Sequence, residues 1–180
     1  MTFEGVEHPG SVRTVDDAAL DAKKSQVLLS CENSINQFSQ LFRRLEREGW
    51  VPEKLDLIVL GSPHFSLAEF KKLAPLLEGR RRHQDVQFLV TSSRLMAELA
   101  DQAGCLAPLK RFGGKVTVDT CILTTPMLRQ EINTLMTNSA KYAYYSPGLL
   151  NAQVVFGSLE DCVRSAIAGR VLRDESLWRE

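Results

Sequence analysis

Most of the short signatures that disclose a function at sight are missing from this chain. It has no GxGxxG or P-loop glycine run, no HExxH and no Ser-His-Asp arrangement. The usual dinucleotide, nucleoside-triphosphate, zinc-peptidase and triad-hydrolase patterns are therefore absent. No apolar run approaches the ~20 residues of a membrane-spanning helix. Neither charge is in excess: 22 basic residues balance 22 acidic ones, for a formal net charge of zero. A chain-wide attraction to nucleic acid or to an acidic membrane is thus not indicated. Cysteine is sparse, with four residues at positions 31, 105, 121 and 162 and no CxxC or other short metal-ligand pair. The start, Met1 to Gly10, is polar, contains Glu4, Glu7 and Pro9, and shows no secretory leader. Together these absences predict a cytoplasmic protein with reduced thiols, without a membrane or nucleic-acid partner.

What is present reads as a folded α/β chain. A length of 180 residues suits one good-sized domain, and 44% apolar and 24% charged residues are ordinary globular values. Residues 1–24 look irregular, with Pro9, Gly10 and Asp16-Asp17. Regular patterning begins at Ser25. Gln26 to Cys31 is a short apolar run read as a strand. Ser34 caps a helix pattern through Ile35, Phe38, Leu41, Phe42 and Leu45 that ends at Gly49. Leu55 to Leu60 is the next apolar run, broken only by Asp56. Ser66 and Glu69 have capping-box spacing ahead of a helix through Phe70, Leu73 and Leu77. Val86 to Val90 reads as a strand, and Ser92 or Ser93 opens a helix closed by Gly104. Leu106 to Phe112 makes a short helix before the Gly113-Gly114 breaker. Val116 to Val118, a run ending near Met136, and Val154 to Phe156 complete the strands. A helix starts at Ser139, and Ser158 caps a last one with an apolar face through Leu159, Cys162, Val163, Ala166 and Ile167, stopped by Gly169. Strands alternating with helices predict parallel βαβ crossovers, and strands lacking polar alternation predict burial on both faces. The basic cluster Arg80-Arg81-Arg82-His83 falls between a helix and a strand and reads as a solvated loop.

Three polar islands follow these strand runs, where ligands bind in parallel α/β sheets. In Gly61-Ser62-Pro63-His64, glycine permits a sharp turn, and His64 stands before a helix N-terminus. It is placed either to exchange a proton with a ligand or to hydrogen-bond its own loop. In Asp119-Thr120-Cys121, the thiol of Cys121 is a candidate nucleophile or soft metal ligand, or else a buried apolar group. In Thr137-Asn138-Ser139-Ala140-Lys141, a helix N-terminus offers free N–H groups beside the Lys141 cation. A cation is locally disfavoured in a first helical turn, so Lys141 there points to a carboxylate or phosphate ligand, against the alternative of a solvated surface lysine. Cys162, on the apolar stripe of its helix, reads as core.

The order Gly-Ser-Pro-His-Phe-Ser-Leu (61–67), Val-Asp-Thr-Cys (118–121), Thr-Asn-Ser-Ala-Lys-Tyr (137–142) and Gly-Ser-Leu-Glu-Asp-Cys (157–162) resembles the large catalytic subunit of the aconitase X family. The resemblance covers residues 25–170. It implies an aconitase-like three-layer α/β/α fold with a mostly parallel sheet flanked by helices. The 25–172 domain would correspond to the C-terminal half of that subunit, between an irregular 1–24 segment and a 173–180 tail. It implies a hydro-lyase that dehydrates a small hydroxy acid, cis-3-hydroxy-L-proline in bacterial members and mevalonate 5-phosphate in archaeal ones.

The implied cofactor is an iron–sulfur cluster, 2Fe–2S in the bacterial reading, with 4Fe–4S or a mononuclear iron as the other forms. Carried over by motif, Cys121 is an iron ligand, and Lys141 contacts the substrate anion with Ser139 beside it. Ser62 occupies a position that is typically cysteine in archaeal relatives, and as serine it helps position substrate, with His64 as its neighbour. Implied too are a small swivel-domain subunit and a complementary N-terminal half of the catalytic subunit bearing another iron-ligand cysteine. The chain is then inactive alone. Two other readings fit the same residues: a non-catalytic interaction or structural domain that keeps the fold, and a thiol enzyme using Cys121 with His64.

Overall fold

The structure, a computed structural model, describes residues 54–62, 64–128 and 131–174. The expected strand at 26–31 and the helix behind Ser34 lie outside the described residues. Ten elements follow one another: β1 (Leu57–Leu60), α1 (Leu67–Leu77), β2 (Gln87–Ser92), α2 (Arg94–Gln102), α3 (Leu106–Phe112), β3 (Lys115–Val118), β4 (Thr134–Thr137), α4 (Ala140–Leu150), β5 (Gln153–Phe156) and α5 (Leu159–Ala168). The strands form one sheet of order β3-β2-β1-β4-β5 with every neighbouring pair parallel.

Local chemistry explains these elements. Ser66 and Glu69 make the expected reciprocal capping box on α1, and Ser158 and Asp161 repeat it on α5. Ser93, not Ser92, caps α2 through the N–H of Met96. The hydroxyl of Ser92 instead donates to the carbonyl of Phe65. Gly113 and Gly169 adopt left-handed conformations that end α3 and α5. The run expected to end near Met136 is the short strand Thr134–Thr137, all four residues buried.

Alternation along the strands sends two sets of side chains to opposite faces. Ile58, Leu60, Phe88, Val90 and Met136 meet Phe70, Leu73 and Leu77 of α1, Leu109 and Phe112 of α3, and Cys162, Val163 and Ala166 of α5 in one core. Phe65 packs edge-on against Phe70, and Phe88 against Phe112. The chain runs outward from β1 through β2 to β3, then from β4 to β5 on the other side. Right-handed crossovers in those two directions must use opposite faces. Accordingly α4 lies on the face of Thr91, whose hydroxyl meets Tyr142 of α4.

Asp56, the one polar break in its run, is an organising residue. Its carboxylate accepts the backbone N–H groups of Asn133 and Thr134, each at 3.0 Å, and pairs with Lys54 at 3.2 Å. Burial pushes this carboxyl up, but the bonds from Thr134, Lys54 and Asn133 outweigh it and hold it below the ordinary value. The protonated form is therefore favoured in the unfolded chain relative to the folded one. The stabilisation is complete at neutral pH and is lost as pH falls below about 4 through the depressed folded value. Replacing Asp56 by Asn is expected to cost about 2 kcal/mol at pH 7. Urea titrations of both proteins from pH 7 to pH 3 should show that difference shrinking on acidification; a constant difference would contradict this role.

Candidate functional site

A sheet wound outward in two directions from its middle leaves a crevice where the direction changes, beyond the carboxyl ends of the central strands. Here the change falls between β1 and β4. An open cleft of about 290 Å³ occupies that place, lined by Gly61, Ser62, His64, Glu69, Asn138, Ser139, Ala140 and Lys141. Four of the five expected site residues, Ser62, His64, Ser139 and Lys141, thus come together on it.

The β1–α1 turn is drawn tightly under the sheet edge. Gly61 has φ +77°, and a Cβ there would stand 2.5 Å from the carbonyl oxygen of Thr91 and 2.8 Å from the nitrogen of Phe65. Only glycine fits, because both the conformation and the space exclude a side chain. The N–H of Phe65 donates to the carbonyl of Thr91 at 2.9 Å. His64 is exposed, and Glu69 is held by its capping box, where one carboxylate oxygen accepts the N–H and hydroxyl of Ser66 at 2.8 and 2.7 Å.

On the facing wall, Ser139 caps α4. Its hydroxyl accepts the N–H of Tyr142 and donates to the carbonyl of Ser62, both at 3.4 Å. Lys141 is exposed in the first turn of α4, which contains no acidic residue, and it makes no ion pair among the described residues. The N-terminal N–H groups of α4 and this ammonium present positive potential to one side of the cleft. That arrangement can hold a carboxylate or another small anion.

Cys121 is placed differently. It is half-buried on the loop after β3 and does not line the cleft. Asp119 turns that loop at φ +53°, with its carboxylate accepting the N–H and Nε of Arg94 at 3.0 and 3.2 Å. Tyr142, buried on α4, is a group that senses the Cys121 charge. Burial chiefly raises the pKa of its phenol, and the Cys121 charge adds to that rise.

The family model described as the aconitase X third domain matches residues 55–168, which include the whole sheet and all five of these residues. The chain belongs to the aconitase X family. Among its relatives are cis-3-hydroxy-L-proline dehydratases. That of Pseudomonas aeruginosa is 47% identical over 131 residues, covering 72% of this chain and 22% of the relative. That of Hypocrea jecorina is 49% identical over 117 residues, covering 64% and 20%. The phosphomevalonate dehydratase large subunit of Methanocaldococcus jannaschii is 36% identical over 112 residues, covering 62% and 27%. The crystal structure of Thermococcus kodakaraensis aconitase X in its holo-form superposes with a TM-score of 0.59 at 29% identity, covering 68% of this chain and 32% of that one. This chain therefore spans about a fifth to a quarter of the length of these curated aconitase X relatives.

An iron–sulfur cluster takes several thiolates. The described residues do not supply them. Cys105 is buried between α2 and α3, and Cys162 is fully buried in the core, where burial, then Asp161 and Glu160, drive its thiol far up. Among the described residues no group of three or more His, Cys, Asp or Glu is assembled for a metal. Cys121 alone keeps an accessible thiol there, so an aconitase X cluster is not completed by these residues.

Sequence reasoning missed three contributors. Glu69 was legible only as a helix cap. Thr91 had one signal, a hydroxyl ending an apolar strand. Tyr142 sits inside the 137–142 motif, but nothing in that motif marks the tyrosine as the partner of the buried Thr91 hydroxyl. Replacing Ser139 by Ala should cost about 1 kcal/mol through loss of the cap. Ser139→Asp should retain the cap and recover most of that loss in urea denaturation. Equal destabilisation by the two variants would show that capping is not what Ser139 contributes.

Proposed function

We propose that this chain forms one wall of an aconitase X hydro-lyase acting on a small hydroxy acid of the cis-3-hydroxy-L-proline type. The observation that carries the reading is the switch-point cleft with Lys141, which makes no ion pair among the described residues, on the first turn of α4. The higher identity to hydroxyproline dehydratases than to the phosphomevalonate enzyme supports that substrate class over a phosphorylated one.

In this reading Lys141 and the free N–H groups of α4 anchor the substrate carboxylate by charge-assisted hydrogen bonds. Ser139 and Ser62 flank it and orient the hydroxyl-bearing carbon. His64, on the opposite lip, is a further polar contact for the substrate. The overall reaction breaks a C–H and a C–O bond on adjacent carbons and releases water. Cys121 contributes one ligand to an iron–sulfur centre, 2Fe–2S in the bacterial type, whose other ligands lie outside the described residues. The 25–172 domain corresponds to the C-terminal part of the catalytic subunit. It works with a complementary N-terminal half and a small swivel-domain subunit, in the cytoplasm. The shortage of thiolates among the described residues favours one competitor, an interaction domain that retains the fold without the chemistry.

Anaerobic co-expression with a complementary N-terminal chain and a small subunit separates the two. The proposal expects iron to co-purify, cis-3-hydroxy-L-proline to be dehydrated, and the 180-residue chain alone to be inactive. Lys141→Met should lower kcat/KM about 100-fold, roughly the 2.7 kcal/mol of a lost charged contact, with partial recovery in Lys141→Arg. Cys121→Ser should lower iron content. Wild-type turnover in both variants, or an assembled complex with neither iron nor dehydration, would favour the interaction domain.

A further inference from the structure

Beneath the cleft, two buried hydroxyls join its walls. Thr91, at the carboxyl end of β2, is 0% exposed, and Tyr142 of α4 is 1% exposed. Neither lines the cleft. The Thr91 hydroxyl bonds to the carbonyl of Gly61 and lies 3.1 Å from Tyr142 Oη. A threonine hydroxyl has one proton. With that proton on the carbonyl of Gly61, Thr91 Oγ1 accepts from the tyrosine, so Tyr142 is the donor.

The connection then closes on itself. Tyr142 donates its own N–H to Ser139 Oγ, and Ser139 Oγ donates to the carbonyl of Ser62, the residue bonded to Gly61. A ring therefore runs from Gly61 to Thr91, Tyr142, Ser139 and Ser62 and back to Gly61. Each hydroxyl in it spends its proton once. The ring joins the turn that carries His64 to the turn that carries Lys141, and Lys141 is covalently next to Tyr142.

We infer that Thr91 and Tyr142 are positioning residues whose buried hydroxyl bond sets the separation of the two cleft walls. This deepens the proposed function, since its consequence for ligand binding rests on that reading. Neither residue touches the ligand. They act through the loop 61–65 and the first turn of α4. Because the ring is closed, opening it at either hydroxyl has the same result, and the two openings do not add.

The test reads amide hydrogen exchange in the 180-residue chain by NMR, and binding of cis-3-hydroxy-L-proline by calorimetry to the complex assembled with the N-terminal chain and the small subunit. Tyr142→Phe and Thr91→Val should each speed exchange of the Phe65 and Ala143 amides about tenfold relative to Leu89 and Val154. Each should weaken probe binding about fivefold, in keeping with one lost buried hydrogen bond. The double variant should be no worse than either single one. Thr91→Ser, which restores the hydroxyl, should return both readouts to within about twofold of wild type. Unchanged Phe65 and Ala143 exchange in the single variants, multiplying losses in the double variant, or a failed serine rescue would overturn the inference. A wild-type complex that does not bind the probe would overturn the proposed function instead, and the exchange measurements then decide the ring by themselves.

Discussion

The site depends on the hydrogen bonding of β1 to β2 along one edge and to β4 along the other, parallel on both sides. Parallel neighbours require crossovers, and crossovers of one hand that run from β1 to β2 and from β4 to β5 pass over opposite faces of the sheet. The turn after β1 and the turn after β4 therefore part company above the sheet. The space between them is the cleft. Two helices begin at its lips, so free N–H groups collect where no secondary-structure partner can reach them.

Both ends of this strand pair are secured by polar groups in otherwise apolar surroundings. At the amino end, the Asp56 carboxylate takes the N–H groups of Asn133 and Thr134, beside the backbone bond from Asp56 to the carbonyl of Thr134 at 3.1 Å. At the carboxyl end, Thr91 reaches the Gly61 carbonyl and Tyr142. Buried groups of this kind are tolerated only when each donor and acceptor is matched. A matched polar group also admits few alternatives, which makes the register of β1 against β4 and the pose of the two turns hard to shift.

The chemistry is divided more unevenly than the fold. The groups proposed to hold an anion line the cleft, whereas the half-buried thiol of Cys121 stands on the loop after β3. Cys105 and Cys162 are spent on packing. A chain matching one domain of much longer relatives is expected to carry such a partial set, with the proposed substrate groups together and a single candidate metal ligand among the described residues.

Much of this was readable along the chain because it is local. Capping boxes at Ser66 and Ser158, glycine stops at 113 and 169, and unbroken apolar strands are short-range consequences of backbone geometry and burial. So were the strand-end positions of His64, Cys121, Ser139 and Lys141, and the motif order that marks the family. The strand order, and with it the meeting of the 61–64 and 138–141 turns at a switch point, came only from tertiary structure. Pairing β1 with β4 joins residues far apart in sequence, and no local propensity encodes a choice of neighbour. The same holds for Asp56, which interrupts an apolar run in the sequence and becomes a clamp once Asn133 and Thr134 are beside it. Thr91 and Tyr142 were ordinary core positions until folding set their hydroxyls 3.1 Å apart, with the proton of Thr91 directed to the carbonyl of Gly61.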